Sequence, residues 1–319
     1  MAQTLVCEQA ETHRLSLCHS YFGAKRRGRD TLSGAVRYRE VLPHQLLASF
    51  IECFWVLESD GLPASVQPER ILPDGCVELV LNLRAPFRER KATGEEQLQP
   101  SRFLVGQMTR PVLIVPSDEV QLIGIRFQPG GTCPFFRFSL TEVTNQVVEL
   151  AAVSSELEHA LAPVLENASN VSWKIAALEK LLLERVRSGR QDSWLIDLAR
   201  QVVSNGGRAS IDTLASAAGI SGRQLERRFL REIGLGPKLF CRILRFQQVF
   251  RALDRDDPNW AAVAADCGYY DQAHLIRDFQ QFAGQTPAAL ISESRPLTEA
   301  FTRQSRMSDF SNTAHPTLS

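Results

Sequence analysis

The stretch Ile211 to Phe229, IDTLASAAGISGRQLERRF, returns about fifty residues later in altered form as Trp260 to Phe279, WAAVAADCGYYDQAHLIRDF. No other feature restricts the fold as much. In the first copy Ile211, Leu214, Ala215 and Ala218 recur at helical intervals, Gly219 follows, and Leu225 with Phe229 mark a second helix. A glycine there takes the left-handed conformation that ends a helix and Ser221 caps the next one, so Gly-Ile-Ser makes a sharp corner. In the second copy Ala261, Val263 and Ala264 mark the first helix, and Leu275 with Phe279 the second. Gly268 takes the place of Gly219 and Asp271 the N-cap role. Helix pairs joined at such corners are helix-turn-helix units.

On the second helix of each pair, Arg223, Glu226 and Arg227, then Gln272, His274 and Arg277, project away from the apolar side. Arginine pairs bidentately with guanine and a carboxylate accepts from the cytosine amino group, so these six are candidates for base contact. Between the pairs, GLGPKLFCRILRFQQVFRAL puts Pro237 at a permitted helix start and runs Phe240, Ile243, Leu244 and Val249 along a connecting helix. Such a linker can fix the spacing of two readers on successive major-groove faces, about 34 Å apart. From Arg223 to Arg251 the basic residues Arg223, Arg227, Arg228, Arg231, Lys238, Arg242, Arg245 and Arg251 stand against only Glu226 and Glu232. Within this patch Ser221, Arg228, Arg231, Lys238, Arg242 and Arg245 are candidates for phosphate contact.

The basic surface has to be local, because the chain as a whole carries 36 Lys plus Arg against 36 Asp plus Glu. Its 319 residues are enough for two domains. A 44% hydrophobic and 23% charged composition fits a soluble globular protein. No apolar run approaches the roughly 18 to 20 residues of a membrane span, and the opening MAQTLVCEQAETHRL lacks the pattern of a signal peptide. A cytoplasmic protein without membrane partners is expected. The seven cysteines are scattered, never as C-x-x-C, and the six histidines form no H-x-H or H-x-x-E group, so neither disulfides nor a metal site is expected. Phosphate-loop and nucleophile-elbow motifs are missing too, and no catalytic residue or cofactor is nominated.

Ahead of the repeated units, residues 1–36 contain a basic run, Lys25 to Arg29, and no sustained hydrophobic period, which describes a flexible leader whose charge cluster either touches DNA phosphates or, the favoured reading, is merely solvated. From Tyr38 to about Phe138, short β-branched stretches such as ECFWVLE, CVELVLNL, PVLIVP and VQLIGIRFQPGG are cut by Pro and Gly. They predict a mostly antiparallel sheet, sandwich or barrel. Arg88 to Ser101 is polar and is expected to be an exposed loop. Asp74 and Glu78 are spaced as a carboxylate pair, but Gly75 between them favours a turn entering a sheet, and Cys76 reads as an inert buried thiol. From Thr141 the period becomes helical, with Val147, Leu150, Leu157, Leu161 and Leu165. A stripe of Ile175, Leu178, Leu182 and Val186 follows, either a dimer seam or, favoured because it is too brief for a coiled coil, packing on its own sheet. The polar break Ser188 to Ser193 sets a boundary between a regulatory or dimerisation domain at 37–188 and the helical reader at 194–294, and residues 295–319 read as a flexible tail. The fold class expected is α+β: a mostly β N-terminal domain with flanking helices, then an all-α domain of two helix-turn-helix units joined by a linker helix.

The series L-A-x-x-x-G-I-S-x-R-x-L-x-R-x-F, then G-x-G-P, then G-Y-Y-D-Q-A-H-L-I-R-D-F and G-Q-T-P, resembles the DNA-binding domain of AraC/XylS-type regulators over about a hundred residues. That resemblance implies seven helices, a long one joining the two units, with base contacts from Arg223, Glu226 and Arg227 and from Gln272, His274 and Arg277. Leu275 with Ile276 departs from the pattern, where many members have an aromatic beside a small polar residue, so Ile276 either packs or meets a thymine methyl. The segments ERILPDGCVELVLNL, FLVGQMTRP and LIGIRFQPGG are similar to an uncharacterised domain that precedes the reader in one subgroup, which implies a sensor or dimerisation role and names no ligand. The function so implied is sequence-specific transcriptional regulation. Its expected partners are double-stranded DNA, a small-molecule effector, a second copy of the chain, and RNA polymerase if the protein activates. Two competing readings are a helical adaptor whose basic faces are merely solvated, and a DNA-modifying enzyme domain fused to a reader, which would need a reactive cysteine or a metal cluster.

Overall fold

In a computed structural model of the chain, residues 37–59, 68–91, 93–116, 119–187, 194–252 and 258–292 are described. The leader, the break Ser188 to Ser193 and the tail at 295–319 lie outside the described residues.

The N-terminal strands are β1 (Arg37–Val41), β2 (Ile51–Glu58), β3 (Glu69–Ile71), β4 (Val77–Asn82), β5 (Arg88–Arg90), β6 (Glu96–Leu98), β7 (Arg102–Val105), β8 (Val112–Val115), β9 (Gln121–Phe127) and β10 (Val147–Glu149). They form two antiparallel sheets, in the orders β1-β2-β9-β4-β7-β10 and β3-β8-β5-β6. Strand β2 is almost wholly buried, and its residues are shared between two cores: Ile51, Phe54 and Val56 face helices, whereas Cys53, Trp55 and Leu57 face the smaller sheet. The period of two along a strand divides its side chains this way once a bulge between Ile51 and Cys53 has reset the register. Three layers result, with helices on one face of the six-stranded sheet and the four-stranded sheet on the other.

Two expectations are corrected in this region. Arg88 to Ser101 is not a loop, because it contains the β5–β6 hairpin, joined across the pair by Arg90 and Glu96 at 2.7 Å. With β6 exposed along its length, these strands carry no apolar alternation that a sequence reading could detect. Val147 belongs to β10, which pairs with β7, and helix begins only at Leu150.

A 3₁₀ turn at Leu140–Val143 is followed by α1 (Leu150–Val153), α2 (Ser155–Glu166) and α3 (Val171–Arg187). Helix α2 is capped by the Ser154 hydroxyl, which accepts from the Leu157 amide, and its last turn is held by Lys174 Nζ donating to the carbonyls of Leu165 and Val164. On α3 Ile175, Leu178 and Leu182 are buried in the sheet-facing core and Val186 packs against it, so the stripe covers its own domain rather than forming a seam.

Among the described residues seven helices make the C-terminal part: α4 (Trp194–Ser204), α5 (Ile211–Ala217), α6 (Gly222–Ile233), α7 (Pro237–Ala252), α8 (Trp260–Asp266), α9 (Gln272–Ala283) and α10 (Pro287–Ser292). Pro237 opens α7, where its missing N–H is not needed. The expected positions Phe240, Ile243, Leu244 and Val249 are buried on α7, and Phe246 packs between Phe279 and Phe282 with ring centroids 4.8 and 5.4 Å away. The cores do not separate cleanly at residue 194. Ile196 packs into the N-terminal core beside Gly130, and Leu72 packs into the helical one.

Candidate nucleic-acid interface

The two corners are built alike. Gly219 (φ 64°) and Gly268 (φ 76°) both adopt the left-handed conformation. Each amide donates three residues back, to Ser216 and Ala265, while the next residue's amide donates five back, from Ile220 to Ala215 and from Tyr269 to Ala264. These bonds satisfy the last carbonyls of α5 and α8. Helix α6 then starts at a capping box: the Ser221 hydroxyl accepts from the Gln224 amide at 3.3 Å, and Gln224 Oε1 accepts from the Ser221 amide at 2.9 Å. Helix α9 starts at Asp271, whose carboxylate accepts from the His274 amide at 2.7 Å.

Arg223, Glu226 and Arg227 are exposed on α6, opposite the buried Leu225 and Phe229. Glu226 turns toward the start of α7, its Oε1 lying 2.4 Å from where a Cβ on Gly236 would stand. On α9 Gln272 and Arg277 are exposed, and Arg277 Nε donates to the Ala273 carbonyl at 3.3 Å. His274 is half-buried, its ring edge-on to Tyr269 at 5.1 Å. Ile276 is half-buried against the helical core, which favours the packing role.

The phosphate candidates divide. Ser221 stands at the exposed helix start, and Arg231 and Lys238 are exposed. Three others are engaged within the protein. Arg228 pairs with Glu232 at 2.6 Å and lies 5.2 Å from the Trp194 ring. Arg242 Nη2 donates to Asp278 at 2.6 Å and to Gln281 at 2.7 Å, with its guanidinium over Phe282. Arg245 donates to the Gly207 carbonyl at 2.9 Å and lies over Tyr269. Burial, and then the neighbouring Asp278, push the Tyr269 phenol well above its ordinary value, so it stays protonated.

Arg242 and Arg245 tie the two units together. Arg242 links α7 to α9, and Arg245 links α7 to both the loop before α5 and the second corner. Arg208 in that same loop donates to the Asp266 carbonyl and lies against Gly268. None of these ties was anticipated, although one had a visible sign: Asp278 lies at 1% exposure on the apolar side of α9, between Leu275 and Phe282, where a carboxylate needs a cation.

The N-terminal part holds this assembly at three levels. Thr144 Oγ1 donates to the Gly234 carbonyl at the end of α6 at 2.8 Å. The turn after β3 lies on α7, with Gln247 Nε2 donating to the Pro73 carbonyl and the Phe240 ring 3.1 Å from where a Gly75 Cβ would stand. Arg70 Nη1 donates to the Ala283 carbonyl at the end of α9 at 3.0 Å. The expected turn at Asp74 and Gly75 is present, Asp74 accepting from the Cys76 amide at 2.9 Å, and the two carboxylates do converge. Arg126, at 2% exposure, meets Asp74 at 3.0 Å and Glu78 at 2.8 Å, and Trp55 Nε1 also donates to Glu78. Burial raises the Glu78 carboxyl against the opposing pull of Arg126. Burial, then Asp74, raises the Cys76 thiol, as an inert cysteine requires.

A cavity of about 220 Å³ opens between the sheets, lined by Glu89, Lys91, Val105, Met108, Val112 and Asn145 among others. Among the described residues no group of three His, Cys, Asp or Glu side chains is placed to hold a metal, and no helix is long and apolar enough to cross a membrane.

Residues 39–149 match the model of a domain of unknown function (DUF6597), and residues 214–293 match that of a helix-turn-helix domain. The HTH-type transcriptional regulator MtrA of Neisseria gonorrhoeae is 30% identical over 100 residues, which are 31% of this chain and 33% of that relative. The shared part is thus about a third of MtrA. Among solved structures, ToxT of Vibrio cholerae O395 is 9% identical over 82% of this chain and 98% of its own, with a TM-score of 0.40. The AraC-like transcriptional activator CuxR is 14% identical over 69% and 82%, with a TM-score of 0.29. The helix-turn-helix match spans both corners, so residues 214–293 form a helix-turn-helix domain similar to part of a transcriptional regulator.

Proposed function

We propose that this protein reads double-stranded DNA sequence-specifically by inserting α6 and α9 into successive major-groove segments of a promoter. In this reading Arg223, Arg227, Gln272 and Arg277 meet base edges, with Glu226 and His274 joining them once they swing from Gly236 and Tyr269. Ser221, Arg231 and Lys238 meet phosphates. The observation that supports it most is the pair of equivalent corners, each presenting an exposed hydrogen-bonding face, held together by Arg208, Arg242 and Arg245. Residues 194–294 act as the reader and 37–188 as the regulatory domain. An effector entering the cavity between the sheets, or a second subunit docking on them, would act on the reader through the turn at Pro73 and Gly75. Promoter binding sets the place of action in the cytoplasm, and an activating role would add RNA polymerase as a partner.

The test is selection of duplexes from a random pool by the purified full-length protein, followed by titration of the best site at two salt concentrations. A motif in two parts about one helical turn apart, bound less tightly at higher salt, is expected. Failure to enrich any sequence over random DNA, at low as at high salt, sinks the reading.

A further inference from the structure

The two corners differ by one residue. In the first, Gly219 and Ile220 are followed directly by the N-cap Ser221, whereas in the second, Gly268 and Tyr269 are followed by Tyr270 before the N-cap Asp271. Tyr269 does the work of Ile220: it is 5% exposed, packed against His274 and beneath Arg245. The additional residue has no such place. Tyr270 is 93% exposed, the most open of the large apolar side chains among the described residues, ahead of Leu42 at 68%. It stands immediately before the exposed N-cap Asp271 and two residues ahead of the exposed Gln272 at the start of α9. Nothing in the fold needs an aromatic ring there, and a polar residue would hold the same turn without leaving apolar surface in water.

We infer that Tyr270 is a DNA-positioning residue of the second unit, its ring lying on the deoxyribose edge of the groove that α9 enters and its hydroxyl donating to a phosphate oxygen. Tyrosine suits that contact because it combines a large apolar face with a donor at the tip and loses little rotamer freedom on binding. The inference rests on the proposal that α9 binds DNA. Since the contact is to backbone and not to a base edge, it fixes register without selecting sequence. Since tyrosine is uncharged, it releases no counterion.

The experiment compares full-length wild type with Tyr270→Ala, Tyr270→Phe, Arg277→Ala and Arg227→Ala on a selected duplex and on a random-sequence duplex, at several salt concentrations. Tyr270→Ala is expected to weaken binding to both duplexes about tenfold, and Tyr270→Phe about threefold, the share of one hydrogen bond. The salt slope should not change. Thermal unfolding should also match wild type, since the side chain packs on nothing. In the wild-type protein, tyrosine nitration mapped by mass spectrometry should mark Tyr270 ahead of Tyr38 and Tyr269, and bound DNA should protect it. If Tyr270→Ala binds like wild type while Arg277→Ala is weakened, the inference about Tyr270 fails and the reading of α9 stands. A loss for Arg227→Ala alone removes the second unit from the DNA and Tyr270 with it. A loss confined to the selected duplex overturns the positioning role in favour of base reading.

Discussion

Arg227 and Arg242 bring the same guanidinium into opposite surroundings. Arg227 is exposed on the outer face of α6. Arg242 is one-third exposed and holds the carboxylate of Asp278, itself at 1% exposure. Arg227→Ala should therefore cost about 1–3 kcal/mol on the selected duplex and relax the preference at one base pair, while leaving unfolding unchanged. Equal losses on selected and random duplexes would remove its base-reading role. Arg242→Ala should act on stability instead, because it leaves a buried carboxylate without its partner. A loss of about 3 kcal/mol is expected in urea unfolding, at the low end for a buried pair because the arginine is partly solvated. Adding Asp278→Asn to that variant should recover part of the loss. If Arg242→Ala unfolds like wild type yet flattens the salt dependence of binding, the arginine serves phosphate after all.

At the scale of elements, the turn between β3 and β4 is the piece most open to test. Gly75 has φ 85° and faces the Phe240 ring at 3.1 Å, while Gly94, in the β5–β6 hairpin, has φ 88° with nothing near its missing side chain. Alanine at Gly94 should cost only the left-handed strain, about 1–2 kcal/mol. At Gly75 it should cost more, since Phe240 must give way, and it should also speed amide exchange along α7. Equal thermal shifts for the two variants, with α7 unchanged, would mean that the turn does not brace the helix. Much of the helical part could be read from sequence, because the rules at work there are local: Gly219 and Gly268 at left-handed corners, Ser221 and Asp271 at N-caps, and Pro237 at a helix start all announce themselves within a few residues. The grip of the N-terminal part gives no such sign. Thr144 reaches Gly234 and Arg70 reaches Ala283 across long stretches of chain, each through one side chain and a backbone carbonyl that any sequence would offer. The split among the basic residues was hidden for a related reason. An arginine looks the same in a sequence whether it meets water or a buried Asp278, and only the carboxylate's place on an apolar face told them apart.

For the molecule as a whole, the ties decide how far its two helix-turn-helix units can move. Arg208, Arg242 and Arg245 bind one unit to the other, and Thr144, Gln247 and Arg70 bind the N-terminal part to the end of α6, the middle of α7 and the end of α9. A linker helix alone would allow rotation about its ends, whereas these ties leave little freedom for α6 and α9 to be re-aimed. The spacing on DNA should be correspondingly strict. Insertion of about 5 base pairs between the two parts of a selected site turns the second part to the opposite face of the duplex. Binding should then fall to the level of a site containing the first part alone, a loss of at least tenfold. Insertion of a full turn restores the face but moves it about 34 Å away, so it should rescue nothing. A double variant, Arg208→Ala with Arg242→Ala, should blunt the penalty for small insertions of one or two base pairs if it still folds, because it frees the second unit. Tight binding by the wild type to the half-turn insertion would mean that one unit carries the recognition and that the ties serve stability alone.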